Sequence, residues 1–169
     1  MLKLMKITTK QGDSGKSRIL TGESINKDEL IFEVLGTIDE LNAFLGLARS
    51  RYNNFCEQLK HIQKGLLNVS AYVACGGEKY EKEVAEFLNW IEEEIERLQD
   101  KLELKEFIIF GDDEASSRLD VCRVICRRCE RRVVSFVNQK NLDNILIKVF
   151  NRLSDLLFIY AALEFINKS

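Results

Sequence analysis

The sequence predicts an all-α fold: a five-helix antiparallel bundle preceded by a loop-rich N-terminal arm. Three observations predict it. Apolar residues recur at a period near 3.6 through five long segments. The connections between those segments are short, which makes sequential helices antiparallel neighbours. The 169 residues contain no proline to break a helix, and Gly12, Gly15 and Gly22 mark the start of the chain as non-helical.

Residues 1–27 form the arm, where those glycines fall among Thr, Ser, Lys and Asp with no helical period, as in a loop with at most a short extended piece. The first helix is expected over about residues 28–52, carrying Leu41, Phe44, Leu45 and Ala48. Asp39-Glu40 follows Gly36-Thr37 within it. Those acids read either as a helix-opening pair favoured by the dipole or as carboxylates that orient an arginine. The second helix runs over about 55–75 with Leu59, Ile62, Leu66, Val69 and Val73, and stops at Gly76-Gly77, a C-terminal glycine signal. The third runs over about 79–104 with Val84, Phe87, Leu88, Ile91, Ile95, Leu98 and Leu102. Its Glu92-Glu93-Glu94 run, with Glu96 and Arg97, reads as a solvated face rather than a metal site. A short apolar stretch, Phe107 to Phe110, ends at Gly111, and two more helices follow over about 114–138 and 142–167. The chain reads as a single domain, 1–169, with the bundle over 28–169.

Composition narrows the function. Residues are 46% hydrophobic and 31% charged, as in a soluble globular protein, and the formal net charge is -2. That balance disfavours a general nucleic-acid binder, which would carry a broad basic excess. No segment approaches the roughly 18 to 20 apolar residues of a membrane span, and the N-terminal Met-Leu-Lys-Leu-Met-Lys turns polar too soon for a signal peptide. A cytoplasmic location is the resulting expectation. The five cysteines are odd in number and four lie in helical patterns, so they read as reduced core residues.

The most informative segment is Arg123 to Arg132, which holds five arginines and one glutamate in ten residues. At about 100° per residue, Leu119, Cys122, Cys126, Cys129, Val133 and Phe136 share one face. Arg123, Arg127, Glu130 and Arg131 share the neighbouring one. The first face reads as core. The second is a column of guanidinium groups, whose rigid donor fork and permanent charge suit phosphate oxygens. On a mildly acidic protein it points to a discrete anionic ligand.

Other motifs resolve less sharply. Thr8 to Arg18 combines glycines, hydroxyls and basic residues, a composition that lets backbone amides approach phosphate; the plain alternative is a flexible arm. Gly15-Lys16-Ser17 ends like a P-loop, but Lys10 stands where the first glycine is required. Gly12-Asp13-Ser14-Gly15 resembles a serine-protease nucleophile segment, but the sole histidine, His61, lies mid-helix. Cys122, Cys126 and Cys129 have the spacing of iron–sulfur ligands, yet lie on the apolar stripe of a continuous helix and read as packing. Asn151, Arg152, Ser154 and Asp155 interrupt an apolar fifth helix, as a hydrogen-bonded knot or as ligand contacts.

Five pieces in order resemble one family. They are Thr9-Lys10-Gln11-Gly12-Asp13-Ser14-Gly15; Thr21-Gly22-Glu23 with Lys27-Asp28; Gly36-Thr37-Ile38-Asp39-Glu40-Leu41-Asn42; Cys126-Arg127-Arg128-Cys129-Glu130-Arg131-Arg132-Val133; and Asn151-Arg152-Leu153-Ser154-Asp155-Leu156-Leu157-Phe158. Together they look like the PduO-type ATP:cob(I)alamin adenosyltransferases. The resemblance implies a ferritin-like five-helix bundle, a homotrimer with active sites between subunits, and transfer of the 5′-deoxyadenosyl group of ATP to the cobalt of a reduced corrinoid. Triphosphate is the leaving group and magnesium its counter-ion.

By position, the resemblance implies that Thr9, Lys10, Gln11, Gly12, Ser17, Arg18 and Lys27 wrap ATP. Arg127, Glu130 and Arg131 would contact the nucleotide with Asn151, and Arg128 lies beside them, although it and Arg132 point elsewhere on the helix. Arg123 would pair with Asp39 across a subunit boundary near the corrinoid. Phe107 would cover the lower face of cobalt and exclude the dimethylbenzimidazole base. A cobalamin-dependent enzyme would receive the product. Gln11 and Lys16 stand where the family usually has threonine. Ile109-Phe110-Gly111-Asp112 replaces the usual Leu-Pro-Gly-Gly, which makes Phe110 a second candidate for the lower-face role. The alternative reading is a non-catalytic ATP or corrinoid sensor or carrier on the same bundle.

Overall fold

The computed structural model describes residues 12–50, 54–77, 79–102, 104 and 106–167. Five long helices dominate: α1 (Leu30–Arg49), α2 (Cys56–Ala74), α3 (Glu81–Gln99), α4 (Glu114–Lys140) and α5 (Ile145–Ile166). They close a ring of neighbours in which α4 lies between α1 and α5, α5 reaches α3, and α2 joins α3 back to α1. The expected bundle is therefore present.

The helix ends follow their local chemistry. Asp113 caps α4, its carboxylate accepting from the backbone N–H of Ser116 at 2.7 Å. Asn141 ends α4 in the left-handed conformation, and its N–H donates to the Val137 carbonyl. Gly76 and Gly77 (φ +67 and +88) turn the chain after α2, as the glycine pair predicts. The third helix stops at Gln99, short of the expected end, yet Leu102 still packs against the core from the segment beyond it.

From Gly12 onward the arm carries the short extended piece that its composition allowed, as a two-stranded hairpin. β1 (Lys16–Arg18) and β2 (Ser24–Asn26) pair antiparallel, with Ser17 opposite Ile25. Strand alternation turns Ser17 and Ile25 to one face and Arg18 to the other. Ile19 and Ile25 pack against the bundle core and seat the hairpin. Three-residue strands are too short for a period-2 pattern to stand out.

Two other expectations need correction. Asp39-Glu40 does not open a helix: both lie in the middle of α1, which begins at Leu30 and runs through Gly36 unbroken. The dipole explanation for these acids therefore fails. Glu94 is not part of a solvated face but buried, because it shares the inward stripe with Ile91, Ile95 and Leu98. Its carboxylate accepts from the buried Tyr160 hydroxyl at 3.0 Å and pairs with Arg97 at 2.6 Å. The charge is thus compensated where it is desolvated.

The core runs the length of the bundle. Leu119, Cys122, Cys126, Cys129, Val133 and Phe136 on α4 are all buried, as the helical stripe predicts. They meet Val149, Phe150, Leu153 and Leu157 of α5 in the same core. Burial of each large apolar side chain contributes about 1.5–3 kcal/mol, enough to fix the rotation of α4. That rotation decides which way its arginines point.

Candidate functional site

With the cysteine stripe buried, the arginines of α4 divide between two directions. Arg128 and Arg132 turn toward α1, where Arg128 is ion-paired to Glu40 and Arg132 lies 3.8 Å from Glu33. Arg123 and Arg127 turn the other way, toward α5, and both line one cavity of ≈ 380 Å³ with Arg152, Ser154, Asp155 and Phe158. Among the described residues the Arg127 guanidinium has neither a hydrogen bond nor an ion pair. Arg131 lies one turn on, its Nη1 donating to the Arg127 carbonyl at 3.0 Å.

The polar residues of α5 form the knot that the sequence left open. Asn151 Nδ2 donates to Glu130 Oε1 at 3.3 Å, and the Ser154 hydroxyl donates to the Asn151 carbonyl at 2.9 Å. Arg152 and Asp155 pair at 2.9 Å at the cavity wall. Glu130 and Asn151 are therefore brought together from two helices.

A second cavity, of ≈ 590 Å³, adjoins the first. Phe107, Phe110, Asp120, Arg123 and Phe158 are among the residues that line it. Arg123 and Phe158 belong to both cavities and form their common wall. The two phenylalanines of the Phe107–Phe110 stretch differ in kind. Phe107 is fully exposed, whereas Phe110 packs edge-on against Phe158 and Phe165 at centroid distances of 6.4 and 6.1 Å. Arg123 Nε donates to Asp120 Oδ1 at 2.8 Å. Asp39 is exposed on α1 and makes no ion pair among the described residues.

In the arm, Gly12 and Lys27 meet: Lys27 Nζ donates to the Gly12 carbonyl at 2.8 Å, and the Lys27 backbone N–H donates to the Gly15 carbonyl at 2.9 Å. Ser17 and Arg18 lie on opposite faces of the hairpin, so one ligand face would take one of them more readily than both. Thr9, Lys10 and Gln11 lie outside the described residues.

Sequence reasoning missed Asp120 and Phe158 as cavity residues. Each carried a signal: Asp120 stands three residues before Arg123, and Phe158 is seven after Asn151, on the same helix face. The cysteines beneath the arginines are inert packing. Burial pushes the Cys122 and Cys129 thiols up to about 12 and the Cys126 thiol well above its ordinary value, so none offers a thiolate. His61 is exposed and rests against Trp90 at 4.3 Å, on the α2–α3 side.

Comparisons with known proteins agree with this geometry. The family model for cobalamin adenosyltransferase matches residues 7–164. The corrinoid adenosyltransferase MMAB of Mus musculus is 37% identical over 180 residues, covering 96% of this chain and 75% of that protein. The corrinoid adenosyltransferase of Bacillus subtilis (strain 168) is 34% identical over 171 residues, covering 96% and 87%. Among solved structures, a phenylalanine-to-histidine variant of the PduO-type ATP:corrinoid adenosyltransferase from Lactobacillus reuteri, complexed with cobalamin and ATP, superposes with a TM-score of 0.86 at 27% identity, covering 96% of this chain and 93% of that one. An arginine-to-lysine variant of that enzyme, complexed with ATP, gives a TM-score of 0.85 at 28% identity, covering 96% of each chain. The arginine face, the two adjoining cavities and these matches lead to one conclusion: the chain belongs to the cobalamin adenosyltransferase family.

Proposed function

We propose that this protein transfers the 5′-deoxyadenosyl group of ATP to the cobalt of cob(I)alamin, forming adenosylcobalamin and releasing triphosphate. The observation that carries this reading is the common wall of Arg123 and Phe158, which sets an arginine-lined cavity against an aromatic one. A polyanionic nucleotide and a large, mostly apolar macrocycle would meet across that wall.

The chemistry asks little of side chains as bases. Cob(I)alamin supplies the electron pair of the new cobalt–carbon bond, and the C5′–oxygen bond breaks with its electrons passing to triphosphate. No proton need move. The protein's task is alignment, worth a large share of a bimolecular barrier, and stabilisation of the departing charge. Arg127 and Arg131 fit the second task, and Arg127 is free for it among the described residues. Lys27, anchored to Gly12, brings a further ammonium from the arm, and the family resemblance assigns Thr9, Lys10 and Gln11 to the same nucleotide. Ser17 is the hairpin residue turned inward. Glu130 and Asn151, already hydrogen-bonded, would hold the nucleoside end.

Phe107 takes the lower-face role, since its ring is fully exposed whereas Phe110 is committed to packing. Excluding the lower axial ligand leaves a four-coordinate cob(II) that is easier to reduce. Magnesium is commonly held through substrate phosphates and one or two carboxylates, and bound there it would neutralise triphosphate. The exposed Asp39 is available for a neighbouring copy's Arg123, which supports a homotrimer with shared sites. A cobalamin-dependent enzyme would take the product.

The test is stoichiometry. Adenosylcobalamin and triphosphate should appear in equal amounts from ATP and reduced cobalamin. ATP bound but not consumed would instead identify a sensor or carrier.

A further inference from the structure

We propose that Asp120 is a positioning residue for this reaction, fixing Arg123 in the wall between the two cavities so that its free donors serve the corrinoid side. The proposal rests on the reading of the Phe107 cavity as the corrinoid compartment. Asp120 and Arg123 lie one helical turn apart on α4, joined at 2.8 Å, with only 25% and 26% of their side chains exposed. The intrahelical pair of Lys82 and Glu86 differs in both respects, standing 3.6 Å apart with 85% and 64% of the side chains exposed, away from either cavity.

The placement gives the bond a direction. Asp120 lines only the Phe107 cavity, whereas Arg123 lines both. Among the described residues Arg123 has no other hydrogen bond or ion pair. A guanidinium held by its Nε keeps the four N–H groups of its two Nη atoms for other partners, in a plane the carboxylate sets. Without Asp120, Arg123 would have no anchor within its own chain among the described residues, and a long arginine at an open cavity wall would sample more rotamers. It would also be drawn toward triphosphate in the adjoining cavity. With Asp120, its charge is balanced on the corrinoid side, and triphosphate is left to Arg127 and Arg131. Because the pair lies within one helix and bridges no two elements, its loss should barely affect folding.

Steady-state kinetics on the whole protein test this. In Asp120→Ala and the near-isosteric Asp120→Asn, the KM for reduced cobalamin should rise about tenfold while the KM for ATP stays within about twofold. Asp120→Glu should restore most of the loss. In an Arg123→Ala background, Asp120→Ala should add nothing, because the residue acts through Arg123. Glu86→Gln, which removes a surface pair elsewhere, should behave as wild type. Unchanged cobalamin KM in both the Ala and Asn variants, equal losses for both substrates, or additive losses in the double variant would each overturn the proposal. A wild-type protein that makes no adenosylcobalamin would overturn the functional reading on which it rests.

Discussion

The side-chain amide of Asn151 on α5 donates to Oε1 of Glu130 on α4 across 3.3 Å. The bond ties the one polar stretch of the fifth helix to the arginine face of the fourth. Hydrogen bonds to charged groups contribute about 1.5–3 kcal/mol, so Asn151→Ala should raise the KM for ATP by about tenfold or more. A thermal-shift titration with ATP should show the same weakening. An ATP-induced stabilisation equal to wild type would remove the pair from the nucleotide site.

Arg127 and Arg128 are adjacent in sequence and opposite in commitment. Arg127 is unpaired among the described residues, and Arg128 is bound to Glu40. Arg127→Ala should lower kcat/KM for ATP by about 100-fold with the fold intact. Arg128→Ala should keep ATP use within about threefold and cost about 0.2–1 kcal/mol, the ordinary value of an exposed pair. Equal kinetic losses in the two variants would reject this division of the column.

Phe107 and Phe110 should separate by readout. Phe107→Ala should leave the melting temperature and ATP binding unchanged, since the ring is fully exposed, and should slow reaction starting from cob(II)alamin. Phe110→Ala removes a ring packed on Phe158 and Phe165 and should cost about 1–3 kcal/mol in stability. Slowing from cob(II)alamin at Phe110 with none at Phe107 would reassign the lower-face role.

The helices were legible because each buries a stripe whose period survives in the sequence, down to the cysteines of α4. What escaped was pairing between elements. Nothing near Glu40 or Glu33 in sequence names Arg128 or Arg132 as a partner, because the α1–α4 contact is set by the packing of whole helices. Glu94 differs for a related reason: three consecutive glutamates look solvated until the stripe through Ile91 and Leu98 is followed through the last of them. Asp39-Glu40 after Gly36-Thr37 resembles a helix start, but one glycine inside a long helix costs only about 1 kcal/mol, and α1 runs through it. The candidate site was legible as a list; that Arg123 and Arg127 line one cavity while Arg123 and Phe107 line the other was not.

The buried thiols give a pH prediction. Unfolding frees cysteines with an ordinary pKa near 8.5, whereas burial holds Cys122 and Cys129 up to about 12. Below the unfolded value both states keep the proton and the contribution to stability is intact. Above it, up to about 12, the unfolded chain loses protons that the folded chain retains, so stability falls as pH rises. Cys56 is exposed and Cys122, Cys126 and Cys129 are buried. At pH 8 an alkylating reagent should therefore label Cys56 in the native protein and the other three only after unfolding, read by peptide mass. Labelling of Cys126 in the native state would contradict the packing role.

The central claim is that nucleotide and corrinoid react across the Arg123–Phe158 wall. Its most direct test is the absorption spectrum of purified protein mixed anaerobically with ATP, magnesium and chemically reduced cobalamin. The account predicts that the cob(I)alamin spectrum gives way to the light-sensitive spectrum of adenosylcobalamin. Persistence of cob(I)alamin unchanged, with ATP intact, would contradict it.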